Sequence, residues 1–392
     1  MPDWLSAEEA MTRLGVRPQT LYAYVSRGRV RAEADPVEPR RSRYKASDIA
    51  ALAQRKARGR KAADVAAETI AWGEPVLASA ITTVADGRLF YRGRDAVKLA
   101  ETETLESVAR LLRGGHGAAL KRSDRPRPPT EGTMRERLFF ALAARAGVDP
   151  PTRGRASLAL AVEAATLLDV LTDAIAGDRG GFEARVRAPN SSAIHQRLGF
   201  AWGLRPAGAE VVRRALVLLA DHELNASTFA ARVAASTGAS LAAAALAGLS
   251  ALSGPLHGGM AARVMAFAAE AERVGAREAV AARLAQGLPI PGIGHQLYPD
   301  GDPRAEALLA ALPAPARLEA LRVAAEAATG LRANVDFALV SIAECLALPE
   351  DAPFALFAVA RAAGWIAHAL EQLQTGQLIR PRARYVGAEP EL

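Results

Sequence analysis

The sequence predicts a mainly α-helical protein of two or three domains, the first small and basic. Three observations carry that reading. Half of the 392 residues are apolar, mostly alanine and leucine, and only 5% are aromatic. Alanine and leucine are the strongest helix formers, so such a composition suits packed helices better than sheets. Beyond residue 105, apolar positions recur at helical spacing almost throughout. Charge, finally, is segregated. Residues 1–62 hold 14 of the 49 Lys+Arg and 7 of the 42 Asp+Glu, which leaves 35 of each sign for residues 63–392. The whole net charge of +7 therefore sits in the first sixth of the chain. A uniformly basic protein would spread that charge; a small nucleic-acid-binding module joined to an ordinary globular protein concentrates it. The chain is also long for one core.

Along the chain, Ser6 with Glu9 three residues later forms a capping box, followed by apolar Ala10, Met11 and Leu14 at helical spacing. Gly15-Val16-Arg17 is a turn. Pro18 suits the first turn of a second helix, Gln19–Ser26, which stops at Gly28. Two short helices across a glycine turn make a helix-turn-helix, the second helix being the reader. Pro36–Tyr44 is expected as a hairpin wing carrying Arg40, Arg41 and Arg43, and Ser47 or Asp48 as the cap of a helix Ile49–Arg55. This segment resembles the winged helix-turn-helix of the MerR/excisionase type. The resemblance implies that Gln19, Thr20, Tyr22 and Tyr24 face the major groove or its phosphates, with the wing arginines on the backbone of double-stranded DNA. A protein-interaction domain with an arginine-rich face is the plainer alternative.

The basic run Gln54–Ala63 reads as a tether, and Pro75–Tyr91 as a small hairpin. Helical runs are expected at Arg135–Ala146, Ala156–Ala176, Ser191–Leu204, Gly208–Leu224 and Ser227–Leu252, with a Pro-rich loop at Arg122–Thr133. Leu241–Leu252 is too short and alanine-rich for a membrane span and is expected to be a buried helix. No basic start followed by an apolar stretch suggests a signal peptide. The lone cysteine, Cys345, excludes an intrachain disulfide framework, fits a reducing cytosol, and is expected as a small buried hydrophobe. His116 and His195 are expected to be structural. No HExxH, CxxC pair or acidic cluster suggests a metal.

The chemistry concentrates in Pro291–Arg304, PGIGHQLYPDGDPR. Gly292 and Gly294 are expected to bring backbone amides close to a ligand, with His295 beside it. Asp302 and Pro303 start the next helix with Arg304 at its mouth, a good place for a carboxylate. Three further segments accompany it: DHELNAST at Asp221–Thr228, SGPLHGG at Ser253–Gly259, and NVDF at Asn334–Phe337. With ARAAGWIAH and IRPRARYVG towards the C-terminus, these resemble the citrate synthase family in that family's own motif order, from about Ser79 to Gly387.

The resemblance implies a winged helix-turn-helix over 1–62, a helical large domain over 63–257 and 348–392, and a helical small domain over 258–347. It implies condensation of acetyl-CoA with oxaloacetate, the acyl-CoA being a substrate and no cofactor or metal being needed. Asp336 would be the base, His257 the donor to the thioester oxygen, and His295 the group polarising the ketone. His222, Arg304, Arg361 and Arg380 would hold the dianion, and Pro291, Gly292, Ile293 and Gly294 would meet CoA. Arg380 would reach across from a partner subunit, implying a homodimer with shared sites. No membrane association is expected, and the location is expected to be cytoplasmic. Taken singly, His257 and Asp336 also suit helix capping, and Arg361 and Arg380 suit surface charge. Two departures touch CoA: Pro299 replaces a basic residue common in the family, and HGGMA replaces HGGAN. A 2-methylcitrate synthase using propionyl-CoA, and a regulator with a citrate-synthase-like sensor, are the alternatives.

Overall fold

Helices begin where the sequence supplies caps. In the computed structural model, the Glu9 carboxylate accepts the Ser6 amide at 2.8 Å and the Glu9 amide donates to Ser6 Oγ at 3.3 Å, closing the expected box. The structure describes residues 4–14, 16, 18–26, 30–36, 38, 41–50, 77–115, 131–178, 193–383 and 385–388. It divides into two units, Met1–Ala78 and Ser79–Leu392. The expected boundary at 62/63, the tether Gln54–Ala63 and most of the Pro-rich loop lie outside the described residues.

In the first unit, helices Ala7–Leu14 and Pro18–Ser26 stand beside a sheet in the order β1 (Trp4–Ser6), β3 (Ser42–Lys45), β2 (Ala32–Ala34). The wing hairpin therefore starts earlier than expected, at Ala32, and its central strand also takes up Trp4–Ser6 as a strand. Leu5, Leu14, Leu21, Val30, Tyr44 and Ile49 form its core. Residues 46–50 are helical, so neither Ser47 nor Asp48 precedes the helix as its cap. The Asp48 carboxylate instead accepts the Arg31 amide at 3.1 Å and its guanidinium at 2.8 Å.

The second unit opens with the meander β4 (Thr82–Ala85), β5 (Arg88–Tyr91) and β6 (Arg94–Asp95). Asp86 and Gly87, both at positive φ (48° and 68°), give the tight turn that joins twisted strands. Helices follow. Thr133 with Glu136, Asn225, Ser240 and Asn334 supply side-chain caps where the sequence places them. The single run expected at Ser227–Leu252 is two helices, Ala226–Ser236 and Leu241–Leu252, because Gly238 turns the backbone at φ +83°. The run expected to reach Leu224 ends at Leu219, where a turn begins.

The main core surrounds the helix Ala352–Thr375, buried almost continuously from Ala352 to Ala369. By length and composition that helix could cross a membrane, but its side chains are enclosed by the fold. Leu241–Leu252 is buried as a core helix as well. A second core gathers Val264, Phe267, Leu318, Leu321, Phe337 and Val340. The helix Val335–Cys345 serves both, giving Phe337 and Val340 to one and Val335, Leu339 and Ile342 to the other. Cys345 corrects its expectation: it is exposed, because it ends that helix beyond the last buried turn.

Candidate active site

One buried carboxylate organises the cluster. Asp302 caps the helix Pro303–Ala311 by accepting the Arg304 amide at 3.1 Å, and accepts the Val335 amide at 3.0 Å across the next helix start. It also holds the Arg304 guanidinium through Nε at 2.9 Å and Nη2 at 2.8 Å. Arg304 is therefore engaged on one edge already, and only its remaining edge is available to a second carboxylate. The sequence places Asp302 at the start of this helix, but gives no sign of its bonds to the Arg304 guanidinium and the Val335 amide.

The loop carrying His295 is stitched to the segment carrying Asp336. Asn334 donates its amide to Gly292 O at 2.8 Å and its side-chain Nδ2 to Gly294 O at 2.9 Å, while the Gly294 amide donates to Arg332 O at 2.7 Å. This corrects the expectation of a free Gly294 amide. Gly292 sits at φ +77°, and a Cβ there would stand 2.7 Å from Val264 and 3.1 Å from the Phe337 Cβ. The glycines allow the two segments to meet.

His295 receives the Leu297 amide on Nδ1 at 3.2 Å. An amide can only donate, so the neutral ring carries its proton on Nε2. His222 Nε2 lies 3.0 Å from Tyr298 Oη, and the His222, His295 and Tyr298 rings cluster with centroids 4.9–5.6 Å apart. Arg304 stacks over Tyr298 at 5.3 Å. Burial, with Arg304 nearby, pushes His295 down to about 4. Burial, then Arg304 and Arg361, hold His222 well below the ordinary imidazole value.

Asp336 is not the helix cap: Asn334 is, its Oδ1 accepting the Asp336 amide at 3.1 Å. Burial raises the Asp336 carboxyl to about 6, against the lowering pull of Arg304 and Arg361. His257 is not a cap either. Its Nε2 lies 2.9 Å from Ser227 Oγ, which accepts from Trp365 Nε1 at 3.1 Å and donates to Asn225 Oδ1 at 2.7 Å. That hydroxyl has one proton, so Nε2–H donates to Ser227 Oγ unless the hydroxyl turns from Asn225 to Nε2, which leaves the imidazole proton on Nδ1. Burial and then Arg361 lower His257 to about 4. Arg361 is 1% exposed rather than a surface charge. Its Nε donates to Leu219 O at 3.0 Å, and its Nη2 has no partner among the described residues. Burial lowers it to about 10 while Asp221 opposes.

Beneath Arg361, Arg232 Nη1 lies 3.2 Å from His368 Nδ1, and His368 Nε2 lies 3.2 Å from Asp221 Oδ2. A guanidinium only donates, so Nδ1 accepts and the Nε2–H donates to Asp221 Oδ2. Asp221, Asn225, Ser227, Trp365 and His368 thus support the site. All lie in motifs quoted above, but spacing gave no sign of which partner each would meet. Arg380 is exposed on the C-terminal segment and stands outside the cluster. His195 is buried with Nδ1 unpartnered among the described residues; His116 lies outside them.

In the first unit, Thr20 is partly exposed and Tyr24 packs against the small core. Arg41 pairs with Glu38 and Arg43 with Glu33, both at 2.9 Å or less. Arg43 and Lys45 also cover the Trp4 ring at 5.3 and 5.0 Å. Arg40 and the side chains of Gln19 and Tyr22 lie outside the described residues.

Fold and side-chain cluster define a class: a helical protein that gathers a buried carboxyl, neutral imidazoles and buried guanidiniums in one place. Residues 70–382 match the family described as citrate synthase, C-terminal domain, and residues 4–57 match a helix-turn-helix domain. The chain belongs to the citrate synthase family. It is 42% identical over 198 residues to "Putative citrate synthase 2" of Mycobacterium tuberculosis (strain ATCC 25618 / H37Rv), covering 47% of this chain and 53% of that protein. It is 35% identical over 192 residues to the 2-methylcitrate synthase of Shewanella oneidensis, covering 46% of this chain and 51% of that protein. Among solved structures, the citrate synthase of Thermotoga maritima MSB8 superposes with a TM-score of 0.65 at 26% identity, covering 82% of this chain and 96% of that one. The chain spans about half the length of the curated relatives it matches.

Proposed function

We propose that the chain condenses acetyl-CoA with oxaloacetate to give citrate and CoA. One observation carries the reading: an Asp336 carboxyl raised to about 6 shares a cluster with two neutral imidazoles and two buried arginines. A thioester methyl is a weak acid, so a base needs help from a group that stabilises the enol oxygen. Asp336 takes the methyl proton while His257, with the Ser227 hydroxyl turned to its Nε2, donates from Nδ1 to the thioester oxygen. The enol carbon attacks the ketone of oxaloacetate, and the Nε2 proton of His295 passes to the forming alkoxide. Water then cleaves citryl-CoA to citrate and CoA. His222, Arg304 and Arg361 hold the two carboxylates, and Pro291–Gly294 line the CoA side. The small domain, residues 258–347, closes over both substrates. Arg380 of each chain completes its partner's site in a homodimer, in the cytoplasm.

The test is CoA thiol release with oxaloacetate, using acetyl-CoA and propionyl-CoA separately. Asp336→Ala should lower turnover by about 10³-fold or more, since it removes the base itself. Preference for propionyl-CoA would make the chain a 2-methylcitrate synthase, a reading favoured by the Shewanella relative. One methylene is worth only about 1–3 kcal/mol in a pocket, and Pro299 and Met260-Ala261 stand at the CoA-related departures. The helix-turn-helix favours a second role in double-stranded DNA binding. Oxaloacetate binding without turnover of either thioester would turn the chain into a metabolite-sensing regulator.

A further inference from the structure

A second cavity, of about 380 Å³, lies away from the histidine cluster. It opens between the residue after the helix Leu105–Leu112, the segment 152–157, the turn 235–238 and the end of the helix Ala352–Thr375. Arg113 lines it and is 8% exposed. Its Nε has no partner among the described residues, and no carboxylate among them pairs with it. Burial lowers the guanidinium to about 10, and the Arg110 cation adds to the lowering. A buried cation without a counter-charge among the described residues is costly, so such a site favours something negative to complete it.

The remaining walls fit that occupant. Arg153 stands exposed at the mouth, while Arg155 is neutralised by Glu163. Ser157 and Thr237 add hydroxyls and Gln374 an amide. Two cations, Arg113 and Arg153, thus face a cavity of ordinary small-ligand size. We propose that this cavity binds a small organic anion, its phosphate or carboxylate group held by Arg113 with Arg153 at the entrance. The occupant would lie at the root of the C-terminal segment. Gln372, which lines the cavity, donates to Gln377 O at 3.0 Å, and Ser236 accepts the Ile379 amide at 3.1 Å.

The test is calorimetric titration of the full chain with inorganic phosphate and, separately, succinate. Ionic strength is fixed with chloride, and saturating oxaloacetate occupies the other site. Wild type should bind one of the two anions above the chloride background, and that arm names the group recognised. Arg113→Gln should weaken it about tenfold or more, because a charge-assisted bidentate contact is lost. Arg113→Lys should retain part of it, and Arg153→Ala should weaken it a few-fold. Neither anion binding wild type, or equal binding by Arg113→Gln, overturns the proposal. If Arg113→Gln does not fold, unchanged affinity in Arg153→Ala overturns it equally. Binding is read without turnover, so failure here is distinct from failure of the condensation chemistry.

Discussion

Burial sets three titrating side chains of the cluster against their ordinary ranges, and the directions differ. Burial raises Asp336 to about 6 from 3.8 and lowers His257 and His295 to about 4 from 6.5. Both imidazoles are therefore neutral through the physiological range and act as hydrogen-bond donors. Asp336 is the group that changes charge near neutrality. The acid limb of kcat/KM should fall with an apparent pKa near 6 as Asp336 protonates, and stopped assays from pH 5 to 8 measure it. The same shift makes a stability statement. Between about pH 4 and 6 the folded state binds the Asp336 proton more tightly than the unfolded chain, so this residue's contribution falls as pH rises through that window. The histidines act oppositely, losing stability as pH falls from 6.5 towards 4. At pH 7 Asp336→Asn should unfold at a higher temperature than wild type, by an amount equivalent to at most about 3 kcal/mol. An inactive variant that gains stability is the signature of a base kept in an unfavourable place.

At the scale of elements, the site depends on how closely the helix Ala352–Thr375 approaches the turn at Asp221. The Gly364 amide donates to Ala220 O at 3.0 Å, and a Cβ at Gly364 would overlap both that carbonyl and the Asp221 carboxylate. Likewise a Cβ at Gly248 would stand 2.7 Å from the Trp365 ring. Gly364→Ala should therefore destabilise by about 1–3 kcal/mol through overpacking, and displace Arg361 three residues earlier. Gly330→Ala is the control: φ is +71°, with nothing within 4 Å of the added carbon, so only backbone strain of about 1 kcal/mol is expected. Thermal denaturation of both variants, with oxaloacetate KM for the first, separates packing from strain. These contacts explain what the sequence made legible. Caps, turns and helical runs are local, so the Ser6–Glu9 box and the helix start at Asp302-Pro303 announce themselves. The break at Gly238 escaped because one glycine inside an alanine-rich run does not reveal its φ. Asp221, Ser227 and Trp365 were visible as motif letters, but their partners lie 30 to 147 residues away, and only folding names them.

At the scale of the whole molecule, the basic excess of residues 1–62 remains the feature that an ordinary condensing enzyme does not need. Part of it is already compensated within the first unit, where Arg31 meets Asp48, Arg41 meets Glu38 and Arg43 meets Glu33. Such exposed pairs are weak and screened, so a phosphate can displace the carboxylate at little cost. If the unit reads double-stranded DNA, affinity for duplex should fall steeply with salt. About six phosphate contacts give a loss of roughly 10³-fold between 50 and 200 mM. Arg43→Ala should weaken binding to all sequences alike and flatten that slope by about one contact, because a backbone contact carries no base information. Thr20→Ala, on the second helix, should instead change preference among sequences. Fluorescence anisotropy with labelled duplexes over a salt series distinguishes the two. Absence of duplex affinity even at the lowest salt would leave Arg41 and Arg43 as ion-pairing residues of a docking domain. Turnover that then stayed constant with added DNA would place the condensation chemistry wholly within residues 79–392.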